Sequence, residues 1–504
     1  MRCAVLVVVA ACGFSPAHTA PSDPDAGASA AELDAAGAAS DVAATWHAHA
    51  DDALETMLLR YWTPNAAYLG AVAPTDTSIT QYWTFAQALD AVIDGVQRTG
   101  RFGGWIEALY LAQDAKGWTR DYYDDENWMA LALLRAGDDP RYLARAIALY
   151  ADIMAAWDTS CCGTTRGGIW WDRAHTQKAT AANAGPVITG VRLAARTGDA
   201  KYLAFAKQVY AYWRTNMVDP TTFAVFDHIT PSGTLAKYKF TYNEGLMIGA
   251  ATALYGATND PSYLGDAEAI AGYLLANEVK DGVLFDGTNA SCNGDCQQFK
   301  GIGFRYLQTL AAIDPQYVPV LTTSAHAIWD HARDGTGLFS ADWAGPTTAT
   351  ASIDADSSAT MALNLYARSL GPYVVTSPHY QAEDGVVHGV GLEAMHTGFG
   401  GWAYLAGWHA NGQWVDFHVT VATAGAYQLS LRYAAGAGDA KRLVFINGAN
   451  AIATQMFPST TDWNTWATAT ATVALPAGAS TISIIYNGGQ GSTNYLNLDW
   501  IDLQ

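Results

Sequence analysis

The sequence predicts a mainly α domain built as an (α/α)6 barrel, or toroid, followed by an all-β sandwich of jelly-roll type. Three observations predict it. A helical unit recurs about every 60 residues, which is enough chain for two helices and their loops. Helices of two compositions alternate along that stretch. Near Gly371 the apolar period changes from helical to alternating. A chain of 504 residues has room for such domains, each with its own core.

The first residues, "MRCAVLVVVAACGFSPAHTA", read as an export signal over 1–20: one Arg, then an apolar run too short to span a bilayer. "VAAC" at Val9–Cys12 resembles a bacterial lipobox, which would place a lipid on Cys12; cleavage near Ala20 is the alternative. Residues 21–41 are mostly Ala, Ser, Pro, Gly and Asp and read as a disordered linker. The expected location is outside a bacterial cell, secreted or as a surface lipoprotein. Export permits disulfides. Cys161, Cys162, Cys292 and Cys296 allow three pairings, and the sequence leaves all three open.

Residues 42–371 form the helical domain. The repeat reads "GDDPRYLARAIALYADIMAAW", "GDAKYLAFAKQVYAYWRTNM", "NDPSYLGDAEAIAGYLLAN" and "IDPQYVPVLTTSAHAIWDHA". Its tyrosines, Tyr142, Tyr202, Tyr263 and Tyr317, are spaced by 60, 61 and 54, and Tyr82 lies another 60 upstream. Asp before Pro or Ala is a helix N-cap signal. These units, the one at Tyr82 included, are expected to be outer helices. Between them lie segments rich in Ala, Gly and Met, apolar on more than one face, expected to be inner helices. They are residues 45–62, 124–136, 181–195, 242–257, 299–312 and 354–369. An open helical solenoid is the alternative arrangement.

Residues 372–379 read as a linker. From 380 to 504 the pattern alternates, as in "GQWVDFHVTV", "AYQLSLRYAAG" and "STISIIYNG", with Gly, Asn and Pro turns between the runs. This is the signature of an antiparallel sandwich.

Net charge is −20, with only 27 Lys and Arg in the whole chain. A phosphate-backbone surface needs clustered cations, so nucleic acid is excluded as a partner. An anionic membrane surface is excluded likewise, leaving a lipid on Cys12 as the one membrane link. Eighteen Trp and 26 Tyr suit stacking on sugar rings as well as large cores.

The chemistry concentrates in "GWTRDYYDDENWMALALLRAG", residues 117–137. Asp124 and Asp125 are expected at the first turn of an inner helix, facing a cavity mouth, where the helix N-terminus stabilises carboxylates. Two carboxylates this close do not both ionise easily. One ionised and one protonated carboxyl is what glycoside hydrolysis uses, and neighbouring residues suit the short separation of retaining enzymes. Asp51–Asp52 and Asp138–Asp139 are expected to be ordinary solvated helix charge.

These residues resemble the signature of family-76 glycoside hydrolases, the endo-α-1,6-mannanases. "YYDDENWMALALLRA" is followed in the family's order by "RGGIWW", "QKATAANA", "FDHI", "TYNEGLMIGAATALY" and "FKGIGFRYL", over about residues 45–370. The resemblance implies an (α/α)6 barrel that cuts α-1,6-mannan backbones with retention and needs no cofactor for the chemistry. It implies Asp124 as nucleophile and Asp125 as general acid/base. It implies sugar contacts at Tyr123, Trp128, Trp170, Trp171, Lys178, Asn183, Asp227, Tyr242 and Asn243. One of Trp170 and Trp171 is expected in the core, and Ala179 departs from the family's Asn. Asn243 and Asp227 equally suit capping. A monomer is expected. Transglycosylation on α-mannan or cell-wall glycans, and the lyase, uronyl-hydrolase or epimerase chemistry of other (α/α)6 enzymes, are the alternatives.

"YQAEDG" and "NLDWIDL" resemble the two ends of carbohydrate-binding modules of families 6 and 35. The resemblance implies structural calcium on Gln381, Glu383 and Asp499, and a sugar cleft with Trp463, Tyr404 and Asn497. Trp466 and Trp500 are expected in the core.

Overall fold

The computed structural model of the protein describes residues 30–63, 68–73, 78–164, 166–286, 294–345, 352–373 and 379–504, with side chains from residue 41 onward. Twelve α-helices of four residues or more lie among them: α1 (Ala30–Tyr61), α2 (Tyr82–Thr99), α3 (Gly103–Lys116), α4 (Tyr123–Leu133), α5 (Pro140–Ala155), α6 (Ala181–Thr197), α7 (Ala200–Asn216), α8 (Thr241–Thr258), α9 (Pro261–Asn277), α10 (Cys296–Ala311), α11 (Val318–Ala327) and α12 (Ile353–Ser369).

Capping follows the sequence. Asp139, Asp199 and Asp260 accept the backbone N–H of Arg141, Lys201 and Ser262 at the starts of α5, α7 and α9. Asp314 caps the short 3-10 turn before α11 in the same way. Each satisfies an N–H that has no partner within its helix.

Helices α2, α4, α6, α8, α10 and α12 pack each on the next, and α12 closes on α2. This is the inner ring of an (α/α)6 barrel. Small residues let the inner helices approach. A Cβ on Gly245 of α8 would lie 2.8 Å from the Cα of Gly303 on α10, and one on Gly301 would lie 2.8 Å from the Cα of Ser358 on α12.

The phase of the first repeat is the reverse of that expected. The helix carrying Tyr82, α2, is inner and buried on nearly every face. The helix over 45–62 belongs to α1 and is outer: its Trp46 meets Tyr366 of α12 and His326 of α11 edge-on. Helix α3 has no counterpart among the helices expected from the sequence. The Tyr82 unit shares the repeat's Tyr spacing, but Gln81 before it makes no side-chain cap, unlike the aspartates of the outer helices. Helix α1 also begins at Ala30, within the stretch read as a linker. Its Ala-rich composition is itself strongly helix-forming.

The C-terminal domain has a separate apolar core. One antiparallel sheet runs Gly391–Glu393, Tyr404–Ala406, Asn497–Leu503, Gly425–Ala434, Ala467–Leu475, with His379–Gln381 also pairing Asn497–Leu503. The other runs Ala449–Phe457, Ala440–Ile446, Gly478–Ile485, Trp414–Val421, Val386–His388. Their alternating burial, as in Trp414–Val421, puts one face of each sheet in the core. The sandwich packs on the helical domain. Trp402 stacks on Trp105 of α3 with centroids 3.8 Å apart, and Arg101 pairs with Asp384 at 3.0 Å. No helix among the described residues is long and apolar enough to cross a membrane.

Candidate active site

The inner helices all start at one end of the barrel, and a cavity of about 340 Å3 opens there. Asp124 and Asp125, in the first turn of α4, line it with Trp128 one turn on. The long loop after α5 supplies Trp171 and Gln177, and the loop before α8 supplies Asp227, Tyr238 and Phe240. Trp83 of α2, Tyr122, Tyr242 and Phe299 complete an aromatic wall, and Asp295 stands at the start of α10.

Trp171 Nε1 donates to Asp124 Oδ2 at 3.0 Å, while Asp124 Oδ1 is buried without a partner. Burial raises the pKa of Asp124; the indole donor and the first-turn amides of α4 oppose it. Asp125 is pushed up further, first by burial and then by the charges of Asp124 and Asp295. The pair is thus split: Asp124 is the more acidic member, and Asp125 keeps its proton to higher pH. No Lys, Arg or His is among the described residues that line the cavity.

Asp227 is held as an acceptor. Tyr242 donates its hydroxyl to Oδ1 at 2.7 Å, Asn243 Nδ2 donates to the same oxygen at 3.2 Å, and His228 Nδ1 lies 2.7 Å from Oδ2.

Six of the residues expected at the site therefore come together: Asp124, Asp125, Trp128, Trp171, Asp227 and Tyr242. The other five stand behind the wall. Asn243 is fully buried and positions Asp227. Tyr123 turns away to pack under Arg173, and its neighbour Tyr122 faces the cavity instead. Trp170 is the core member of its pair, stacked on His175 with Lys178 Nζ over its ring. Lys178 donates to Asp158 and to the carbonyls of Cys161 and Gly167. Asn183 bonds the backbone of Ile169 and Ala179. Lys178 and Asn183 thus brace the loop that presents Trp171. A disulfide joins Cys161 and Cys162 in that loop; Cys296 is disulfide-bonded too, and Cys292 lies outside the described residues.

Trp83 and Asp295 were missed. Trp83 stands in the helix taken as outer. Asp295 lies in "CNGDC", immediately before α10, so it stands at an inner-helix start as Asp124 does in the first turn of α4.

In the sandwich, Trp463 lies flat over Gly436, where a Cβ would come within 2.8 Å of its ring. His396 stands between Trp463 and Tyr404, with centroids 6.3 and 6.0 Å away. Tyr404 has no exposed surface and Asn497 is buried, so Tyr404 does not form the open wall expected of it: its strand turns the ring onto Trp466 and Phe399. Trp466 and Trp500 are half-buried. Gln381, Glu383 and Asp499 converge around Gly400 and Gly401. Gln381 Oε1 and Glu383 Oε2 are buried without partners, and burial pushes Glu383 up to about 8. Two orphaned oxygens beside a second buried carboxylate fit an oxygen-seeking cation, although Arg432 already pairs with Asp499 Oδ2.

The chain belongs to glycosyl hydrolase family 76, whose profile matches residues 45–374. The profile of carbohydrate binding module family 6 matches residues 381–504. A mannan endo-1,6-α-mannosidase of Candida glabrata is 28% identical over 263 residues, 45% of this chain and 57% of that protein. An isomaltosyltransferase of Sporosarcina globispora is 37% identical over 114 residues, 23% of this chain and 10% of that protein. The chain thus spans well under two thirds of these curated relatives. Among solved structures, an inactive variant of the α-1,6-mannanase of Salegentibacter sp. HEL1_6, in complex with α-1,6-mannotriose, superposes with a TM-score of 0.60 at 25% identity. That match covers 65% of this chain and all of the other.

Proposed function

We propose that the protein is an endo-acting glycoside hydrolase that cleaves α-1,6-mannosidic linkages of mannan backbones with retention, and that its C-terminal module binds carbohydrate. The observation that carries this reading is the split carboxyl pair, Asp124 and Asp125, at the mouth of an aromatic-walled cavity. Asp124 attacks the anomeric carbon, and Asp125 gives its proton to the departing O6. Asp125 then takes a proton from water, which displaces Asp124 and returns the sugar with its first configuration. Tyr242 and Asn243 hold Asp227 as an acceptor for sugar hydroxyls. Among the described residues the cavity is lined by four aspartates and no cation, which disfavours an anionic polysaccharide and with it lyase or uronyl chemistry. In the Salegentibacter mannanase, replacing two consecutive aspartates by asparagine gives the inactive variant, which supports the assignment.

The test is Asp124→Asn and Asp125→Asn on linear α-1,6-mannan, with product anomers followed by NMR. Both variants are expected to keep the wild-type melting temperature and lose cleavage. Wild-type rates in either folded variant, or an inverted first product, overturn the reading.

Gln381, Glu383 and Asp499 would hold a structural Ca2+ tying together the two ends of the sandwich. The Cys161–Cys162 disulfide supports export to an oxidising compartment.

A further inference from the structure

A second cavity, of about 650 Å3, lies at the opposite end of the barrel, where the inner helices finish. Asp124 starts α4 and Arg135 follows its end; Asp295 precedes α10, and Arg305 stands in its second half. At 1.5 Å per residue the two sites are roughly 15 Å apart. A gap between them, beside Trp128, Ile302 and Tyr306, is about 10 Å3, room for at most one water.

The electrostatics of this end are inverted. Of the 27 Lys and Arg in a chain of net charge −20, four arginines line one cavity: Arg135, Arg192, Arg305 and Arg368. Asp90 and Asp94 are shared between Arg135 and Arg305. Among the described residues no carboxylate pairs with Arg192 or Arg368. Among the described residues Arg192 donates to the Leu131 carbonyl, at 3.5 Å, and Arg368 to Gln97 Oε1, at 3.0 Å. A guanidinium offers five N–H donors in a fork that matches phosphate. The helix C-termini carry partial negative charge that these guanidiniums offset, and each fork makes one hydrogen bond and keeps further N–H donors for a ligand. Val318, Leu321 and Leu365 give the rest of the cavity an apolar wall.

We propose that this cavity binds a phosphate group on its arginines, with Arg368 and Arg135 brought together at Gln97 Oε1 and Arg192 on the helix across the ring. The apolar wall and the volume suit a sugar-sized body esterified to that group better than the bare ion. The site is separate from the hydrolytic one and would let a phosphorylated glycan or sugar act on the enzyme from its far end.

The test is calorimetric titration of the full chain with inorganic phosphate and, separately, glucose 6-phosphate, at ionic strength held constant with NaCl. Both probes are expected to bind saturably, one per chain, and the ester more tightly than the bare ion. Arg192→Gln and Arg368→Gln should each weaken binding about tenfold, the value of one charge-assisted contact. Arg368 is exposed, so its variant keeps the fold and leaves mannan cleavage unchanged. Asp124→Asn should bind as wild type does. Absence of saturable binding by both probes, binding indifferent to Arg368→Gln, or binding lost in Asp124→Asn overturns the proposal.

Discussion

Replacing Trp171 with Phe tests how the carboxyl pair is split. The change keeps an aromatic ring beside Tyr122 and removes the indole N–H that donates to Asp124 Oδ2 at 3.0 Å. Asp124 Oδ1 has no partner, so this is the one side-chain donor to that carboxylate among the described residues. A hydrogen bond to a charged group is worth about 1.5–3 kcal/mol, and one pKa unit about 1.4 kcal/mol. Losing the donor therefore raises the pKa of Asp124 by about 1–2 units. The donor favours the ionised form, and the ionised form is the nucleophile. The acid limb of the kcat/KM profile on linear α-1,6-mannan is thus expected to move to higher pH by about 1–2 units. KM should change little, since the ring face remains. An acid limb that stays in place, with the rate lowered equally at every pH, would refute the argument and leave Trp171 as a wall alone.

Asp139→Ala removes the cap of α5 and should cost about 1 kcal/mol in urea denaturation, while Asp138→Ala stays within about 0.5 kcal/mol; equal losses would sink the distinction. Burial pushes Asp356 up to about 7, so its contribution to stability is full below about pH 4 and lost as the pH rises to about 7, on the order of 4 kcal/mol. Unfolding free energy should fall across that interval more steeply in the wild type than in Asp356→Asn, and equal slopes would count against it. Chelation should lower the melting temperature and Ca2+ restore it; an unmoved melting temperature would remove the cation from Gln381, Glu383 and Asp499.

The barrel was legible because its outer helices repeat one local device. Asp139, Asp199, Asp260 and Asp314 cap their helices through contacts only two residues away, so the signal lies in the local sequence. The phase at Tyr82 was not legible, since inner or outer position depends on which helices close the ring. Helix α2 sits between α4 and α12, and α12 lies more than 250 residues further along the chain. Nor does anything local to "GGWIEALYL" announce that α3 packs against the sandwich through Trp105 and Trp402.

Within the site the type of element does not decide the outcome. Asp124, Asp125 and Tyr242 at helix starts and Trp171 and Asp227 on loops all line the cavity. Lys178, on a short strand, and Asn183, in the first turn of α6, carry the right side chains for sugar hydroxyls, yet they bond the backbone of the loop that presents Trp171. The three acidic pairs show what separates chemistry from scaffold. Asp51 is not solvated as expected but is gripped by Arg98 and Arg101. Asp139 caps α5 and pairs with Arg141, while Asp138 is the exposed one. No cation pairs with Asp124 or Asp125 among the described residues, and burial raises both. A paired aspartate is locked as an anion and has nothing to transfer. Only a pair buried without a countercharge holds one carboxylate and one carboxylic acid, and the missing countercharge is a property of the fold.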